Sequence, residues 1–326
     1  MRRSCAVFVL ALAVGGLVGV GGSAQATVSP LNGQIAFARQ IPTGGANVFI
    51  ANPDGSAAQQ VPLVYPAEDF GVPVWSPDGS RLLISHTIRL DGSGECCLPF
   101  RPAIVNPDGS GFTLLAMAYA PDDMDCAVWS LDQTRLFCGF GGDHPGVFSV
   151  RASDGGDPVR LSSNPYGSAD GPTDISPDGT RIVFLRFRPG PPGAHDRANQ
   201  VALFVENVDG SGLRQITPYG LAHAHEIASA RWSPDGREII SETTQGLLFV
   251  VHPDGSGLKM LPLQPGTSQY FAFESDWSPD GTRIVFCMGI NGQEDVYTAK
   301  VDGTDVVQVT NTPDFENGPD WGVATG

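Results

Sequence analysis

An all-β, six-bladed propeller with four-stranded blades is the fold this sequence predicts, and three observations predict it. A ten-residue phrase, complete as Trp277-Ser-Pro-Asp-Gly-Thr-Arg-Ile-Val-Phe286, recurs from Trp75, Trp129, Ile175 and Trp232, and its opening Trp returns at Trp321. The copies lie about 44 to 57 residues apart, the period of a four-stranded blade rather than of a helical solenoid. A second phrase built on Asp-Gly alternates with the first, around Asp54, Asp108, Asp154, Asp209, Asp254 and Asp302. Gly (41) and Pro (27) are abundant and only 17% of residues are charged, a balance that suits many short strands joined by tight turns and leaves little room for helix.

Each phrase is a hairpin written in turn chemistry. Pro presets φ for the second turn position, Asp bonds nearby backbone N–H groups, and Gly takes the positive φ that closes the turn. An apolar strand enters and a β-branched strand leaves. The repeated Asp residues 54, 78, 108, 178, 235, 254 and 280 resemble a calcium ladder, but each sits where its own turn needs it. The structural reading is preferred.

Taken in order, residues 1–26 carry Arg2 and Arg3, an apolar run from Ala6 to Val20 and the small-residue end Ala24-Gln25-Ala26. This is the layout of a secretory signal cleaved after Ala26, with no integral span left in the mature chain. Residues 27–326 form the propeller. Gln34 to Ala38 matches the second strand of a blade without a first, and Pro319 to Gly322 matches a first strand without a second. The two are complementary, so the C-terminal strand is expected to pair with the N-terminal one and close the ring. Blade 1 continues with 47–51 and 59–63, and blade 2 takes 72–75, 81–87, 103–106 and 113–116. Blades 3 to 6 follow around Trp129, Ile175, Trp232 and Trp277. Both kinds of Asp-Gly turn fall on one face. The long irregular loops, such as 88–100 and 187–199, fall on the other, where function is expected.

The phrase W-S-P-D-G-x-x-I-x-F, complete at Trp277 and matched through W-S-P-D-G at Trp75 and Trp232, resembles the TolB-like, WD-type propeller repeats over nearly all of the mature chain. That resemblance implies an envelope protein that binds partner proteins. TolB proteins carry an α/β domain ahead of the propeller; here about ten residues separate Ala26 from the first strand, so that domain is not expected. Similar repeats precede the catalytic domain of prolyl oligopeptidase-type peptidases, but the chain has no G-x-S-x-G phrase.

Without Arg2 and Arg3 the chain has 17 basic and 35 acidic residues, a formal charge of −18, which argues against nucleic acid and anionic membranes as partners. The first strand of every blade is approached by acid: Asp69, Asp125, Asp170 with Asp174, Glu226, Glu274 with Asp276, and Glu316 with Asp320. A ring of these around the channel mouth would draw a Lys or Arg side chain or a divalent cation; the competing reading is that they are solvated or cap backbone N–H groups. His223-Ala-His225-Glu226 is a candidate zinc or manganese site, since two-apart residues on an extended segment share a side. Otherwise no cofactor is expected. Export permits disulfides; if Trp129 faces Arg135 across the blade 3 hairpin, Cys126 faces Cys138 and a cross-strand bridge follows.

The leading expectation is an exported, secreted or periplasmic, module that binds an envelope or extracellular protein or peptide, cationic at the contact, through its irregular face. The alternative is a metal-assisted lyase or hydrolase acting on a carbohydrate or lactone at the channel mouth.

Overall fold

The structure, a computed structural model, describes residues 32–40, 45–63, 69–87, 100–116, 124–140, 145–167, 170–189, 200–222, 229–266 and 270–325. The proposed signal segment lies outside these residues, as does the His223 to Glu226 stretch. The described residues form six antiparallel sheets without a helix. Each sheet is one blade. The ring closes as the repeats imply, because the strand Glu316–Val323 pairs with Asn32–Gln40 and sets Trp321 opposite Ile35.

The turn phrase folds as its chemistry dictates. Ser76 donates its hydroxyl to Asp78 Oδ1 (2.7 Å), and the same oxygen accepts the N–H and the hydroxyl of Ser80. The Arg81 N–H returns to Ser76 Oγ, and Gly79 sits at φ +70 with Val323 O pressed where a Cβ would stand. Equivalent bonds recur at Asp54, Asp108, Asp178, Asp254 and Asp280.

Two local expectations need correction. The outermost strands are shorter than 59–63 and 113–116, being two-residue ladders, Gln59–Gln60 and Thr113–Leu114. An apolar residue then dives into the core: Val61 and Leu115 still bond the third strand through their N–H groups, but both are fully buried, which takes their side chains off the exposed edge. The innermost strand of blade 2 is split into Asp69–Phe70 and Val74–Trp75, both paired with Leu82–Thr87, with Gly71-Val72-Pro73 between them.

Six apolar cores fill the six gaps between blades. Each repeat Trp packs backward onto the preceding blade: Trp129 against Leu83 and Ile104, Trp232 against Val183 and Leu203, Trp321 against Val285 and Cys287. Ile175 stands in for Trp at the gap between blades 3 and 4, where Phe184 and Phe204 stack at 5.7 Å. In blade 3, Trp129 faces Leu136 rather than Arg135. A bulge at Ala127 then shifts the register by one, so Cys138 does face Cys126, and the two are joined in a disulfide.

Candidate functional site

The innermost strands surround the channel, and the residue just before each repeat Trp or Ile decides what that channel contains. Around the ring these residues are Asp320, Val74, Val128, Asp174, Arg231 and Asp276. Where the Trp reaches backward, its predecessor reaches forward. Asp174 Oδ2 accepts the N–H of Trp232 (2.7 Å), Asp276 Oδ2 that of Trp321 (2.9 Å) and Asp320 Oδ2 that of Trp75 (2.8 Å). Each carboxylate therefore latches one blade to the next. Val74 and Val128 make the same forward reach with apolar contacts to the cores of the next gaps.

Arg231 breaks the series. Its guanidinium donates to the carbonyl of Thr173 and lies 3.6 Å from Asp320, and its own carbonyl accepts Trp277 Nε1–H. Residue and partners are buried. Burial alone would depress the guanidinium, but Asp320, Asp276, Asp174 and Glu242 outweigh it and hold its pKa above the ordinary value. The same burial pushes Asp174 and Asp320 up to about 7 against the pull of Arg231, and raises Asp276. The middle of the ring is thus a cation set among carboxylates.

The other predicted carboxylates that the structure describes are also engaged internally. Asp170 forms a two-point ion pair with Arg186 (2.6 and 2.9 Å) and accepts Ser162 Oγ–H. Glu316 takes Arg39 at 2.7 Å together with the hydroxyls of Thr310 and Thr312. Glu274, in the left-handed region at φ 53, accepts the N–H of Gly318 across the gap between blades 6 and 1, and burial raises it to about 8. The side chains of Asp69 and Asp125 lie outside the described residues, as do Glu226, His223 and His225. Among the described residues no three His, Cys, Asp or Glu side chains are grouped to hold a metal.

Sequence reasoning missed the cations. Arg39, Arg186 and Arg231 each meet an acid from the ring. Arg231 was legible in principle, since it stands just before WSPDG, where Asp174, Asp276 and Asp320 stand just before Ile175, Trp277 and Trp321. Arg186 and Arg39 carry no such signal, because only strand pairing sets them opposite Asp170 and Glu316.

Among the described residues, the large apolar side chains exposed on the loop face are three aromatics and Leu247. Among the described residues, the exposed aromatic side chains are Tyr166, Phe271 and Phe315. All three are on this face, at the entrances to the innermost strands of blades 4, 6 and 1. Tyr166 meets Tyr219 edge to face at 6.3 Å, Phe271 stacks on Phe273 at 5.5 Å, and Arg188 lies 3.9 Å over the Tyr219 ring.

These features define a closed six-bladed propeller with a charged internal cluster and an aromatic, irregular rim. No protein-family model matches the chain, and no curated protein does. Solved structures do. TolB from Acinetobacter baumannii aligns with a TM-score of 0.65 at 14% identity, covering 89% of this chain and 66% of its own length. A putative TolB from Agrobacterium tumefaciens gives 0.57 at 18% identity over 85% of this chain and 88% of that one. A chain of a nidogen/laminin complex gives 0.61 at 9% identity, over 90% and 98%. This chain has the TolB-like propeller fold, and it spans just under two thirds of the Acinetobacter TolB.

Proposed function

We propose that the chain is an exported binding module that holds a protein or peptide on its irregular loop face, cationic where it meets the acidic chain. The observation that carries this reading is the placement of exposed aromatics: among the described residues Tyr166, Phe271 and Phe315 are all on the loop face, beside Leu247, while the turn face exposes no aromatic. Aromatic and Arg side chains dominate binding energy at protein interfaces because they bury large rigid surfaces at little entropic cost. The connections between second and third strands vary on this face from two residues, at 291–292, to the whole of 88–99, whereas the opposite face repeats two kinds of Asp-Gly turn. Loop variation on a constant frame is how a scaffold specifies a partner. The TolB-like fold and the nidogen/laminin complex agree with this reading without naming a ligand. The apolar run of residues 1–26 supports export.

The test is capture from a native envelope extract by immobilised mature protein, beside a Tyr166→Ser, Phe271→Ser, Phe315→Ser variant shown to be folded. Species retained by the wild type and lost by the variant, and released by salt, support the proposal. Identical retention by both sinks it.

A metal-assisted lyase is the second reading. It rests on His223-Ala-His225-Glu226 and on a shared fold with an oligogalacturonate lyase solved with manganese, TM-score 0.51 at 14% identity. Unsaturated product from oligogalacturonate with manganese, lost on His223→Ala, would favour it.

A further inference from the structure

On the turn face, away from the aromatic rim, a groove of about 420 Å³ opens between blades 4 and 5. Its origin is visible by comparing the blades. The Arg of the repeat phrase is answered within its own blade in two cases. Arg135 meets the Asp157 carboxylate at 2.9 Å and Ser149 Oγ at 3.1 Å; Arg283 meets Asp305 at 2.7 Å and Thr298 Oγ1 at 3.2 Å. Asp157 and Asp305 hold corresponding turn positions, at φ 51 and 53. In blade 2 that turn position is Gly111, and Arg81 instead takes the Gln133 amide of the next blade at 2.7 Å.

Blade 4 has neither answer. The turn position is Gly212, at φ +71, the hydroxyl position is Val205, and the next blade offers Gly236 where blade 3 offers Gln133. Arg181 stacks over the Trp232 ring at 4.7 Å, and among the described residues no carboxylate or amide is bonded to its guanidinium. Deleting those side chains is what opens the groove. Arg214 and His252 also line it, with Val205 and Pro253 as its apolar part.

We infer that this groove binds a small monocarboxylate with a short apolar body. Its carboxylate takes the place on Arg181 that Asp157 and Asp305 take on Arg135 and Arg283, and its body lies on Val205 and Pro253. The volume suits a small ligand. A guanidinium fork matches a carboxylate in two parallel bonds. Asp254 also lines the groove and offsets the charge of Arg214, which leaves Arg181 as the unanswered cation and favours a singly over a doubly charged anion. The turn face is separate from the rim assigned to partner binding, so the two proposals stand or fall independently.

The experiment is an NMR titration of the Arg side-chain Nε–H signals of the full chain with benzoate, with its neutral isostere benzamide, and with inorganic phosphate at matched ionic strength. Benzoate should shift the Arg181 signal saturably. Asn207→Lys with Gly212→Asp rebuilds the blade 6 arrangement, supplies an internal carboxylate and leaves Arg181 in place; it should weaken benzoate binding about tenfold or more, the worth of a charge-assisted pair. Arg181→Gln should do the same. The inference is overturned if benzoate does not saturate, if benzamide or phosphate binds as well, or if the rebuilt turn binds benzoate unchanged while its own Arg181 signal shows the new ion pair. Should the rebuilt chain fail to fold, Arg181→Gln alone decides.

Discussion

The carboxylate of Asp320 accepts the backbone N–H of Trp75 at 2.8 Å, joining residues 245 positions apart. Asp320 belongs to the strand that closes blade 1, so this bond extends the closure into blade 2. With Asp174 to Trp232 and Asp276 to Trp321 it makes three latches of one design.

Removing a latch leaves a buried N–H without an acceptor. Asp320→Ala, Asp174→Ala and Asp276→Ala should each lower stability by about 1 to 3 kcal/mol, and the Asn variants should lose less because an acceptor remains. Denaturant melts of the six variants check this. Equal losses for Ala and Asn would show that charge on Arg231, not the cap, matters at these positions.

Closure predicts a collective effect. Trp321 is buried against Val285 and Cys287 of blade 6 and Ile35 and Phe37 of blade 1, so Trp321→Ala should cost about 3 to 5 kcal/mol. Deleting residues 319–326 should lower the melting temperature of the whole ring in one transition. A deletion that melts like the intact chain would refute closure.

The buried carboxylates predict an inverted pH profile. Burial pushes Asp174, Asp320, Glu206 and Glu242 up to about 7 and Glu274 to about 8. A folded value above the unfolded one means that the folded chain holds more protons between about pH 4 and pH 8, so stability falls as pH rises through that window. The turn carboxylates act oppositely. Hydrogen bonds from Ser176 and Thr180 hold Asp178 at about 2, and the stability it brings is present above its unfolded value and lost as pH falls through the folded one. Maximum stability is expected in mildly acid solution, around pH 4 to 5. A melting temperature that climbs steadily from pH 4 to pH 8 would contradict the cluster.

Asp170 and Arg186 are both buried. Asp170→Ala strands the guanidinium and should cost about 3 to 5 kcal/mol, and the double change to Ala with Arg186→Met should recover part of that loss. A double variant no better than the single would show that the pair is not coupled.

Export is checked by mass. The exported protein should begin at Thr27, and unreduced peptide maps should recover Cys126 and Cys138 as one linked species. A membrane-held form retaining Met1 would count against cleavage, and alkylation of both thiols without reduction would count against the bridge.

The sequence by itself determined the architecture: turn chemistry and apolar alternation are local, and five copies of Ser-Pro-Asp-Gly or its variants, with the sixth repeat Trp at Trp321, set blade number, strand order and the face each loop occupies. It also determined which residues are acidic at the strand entrances. Only the tertiary structure decided what those acids do, because their partners come from other strands and other blades. Arg186 meets Asp170 through pairing of the first two strands of blade 4, Arg39 meets Glu316 through ring closure, and Arg231 meets Asp320 across the channel. Even the Cys126–Cys138 bridge needed a bulge at Ala127 that alternation does not announce. Backbone turns are fixed by neighbours in sequence, whereas a buried charge is fixed by whichever counter-charge the fold brings within about 4 Å of it.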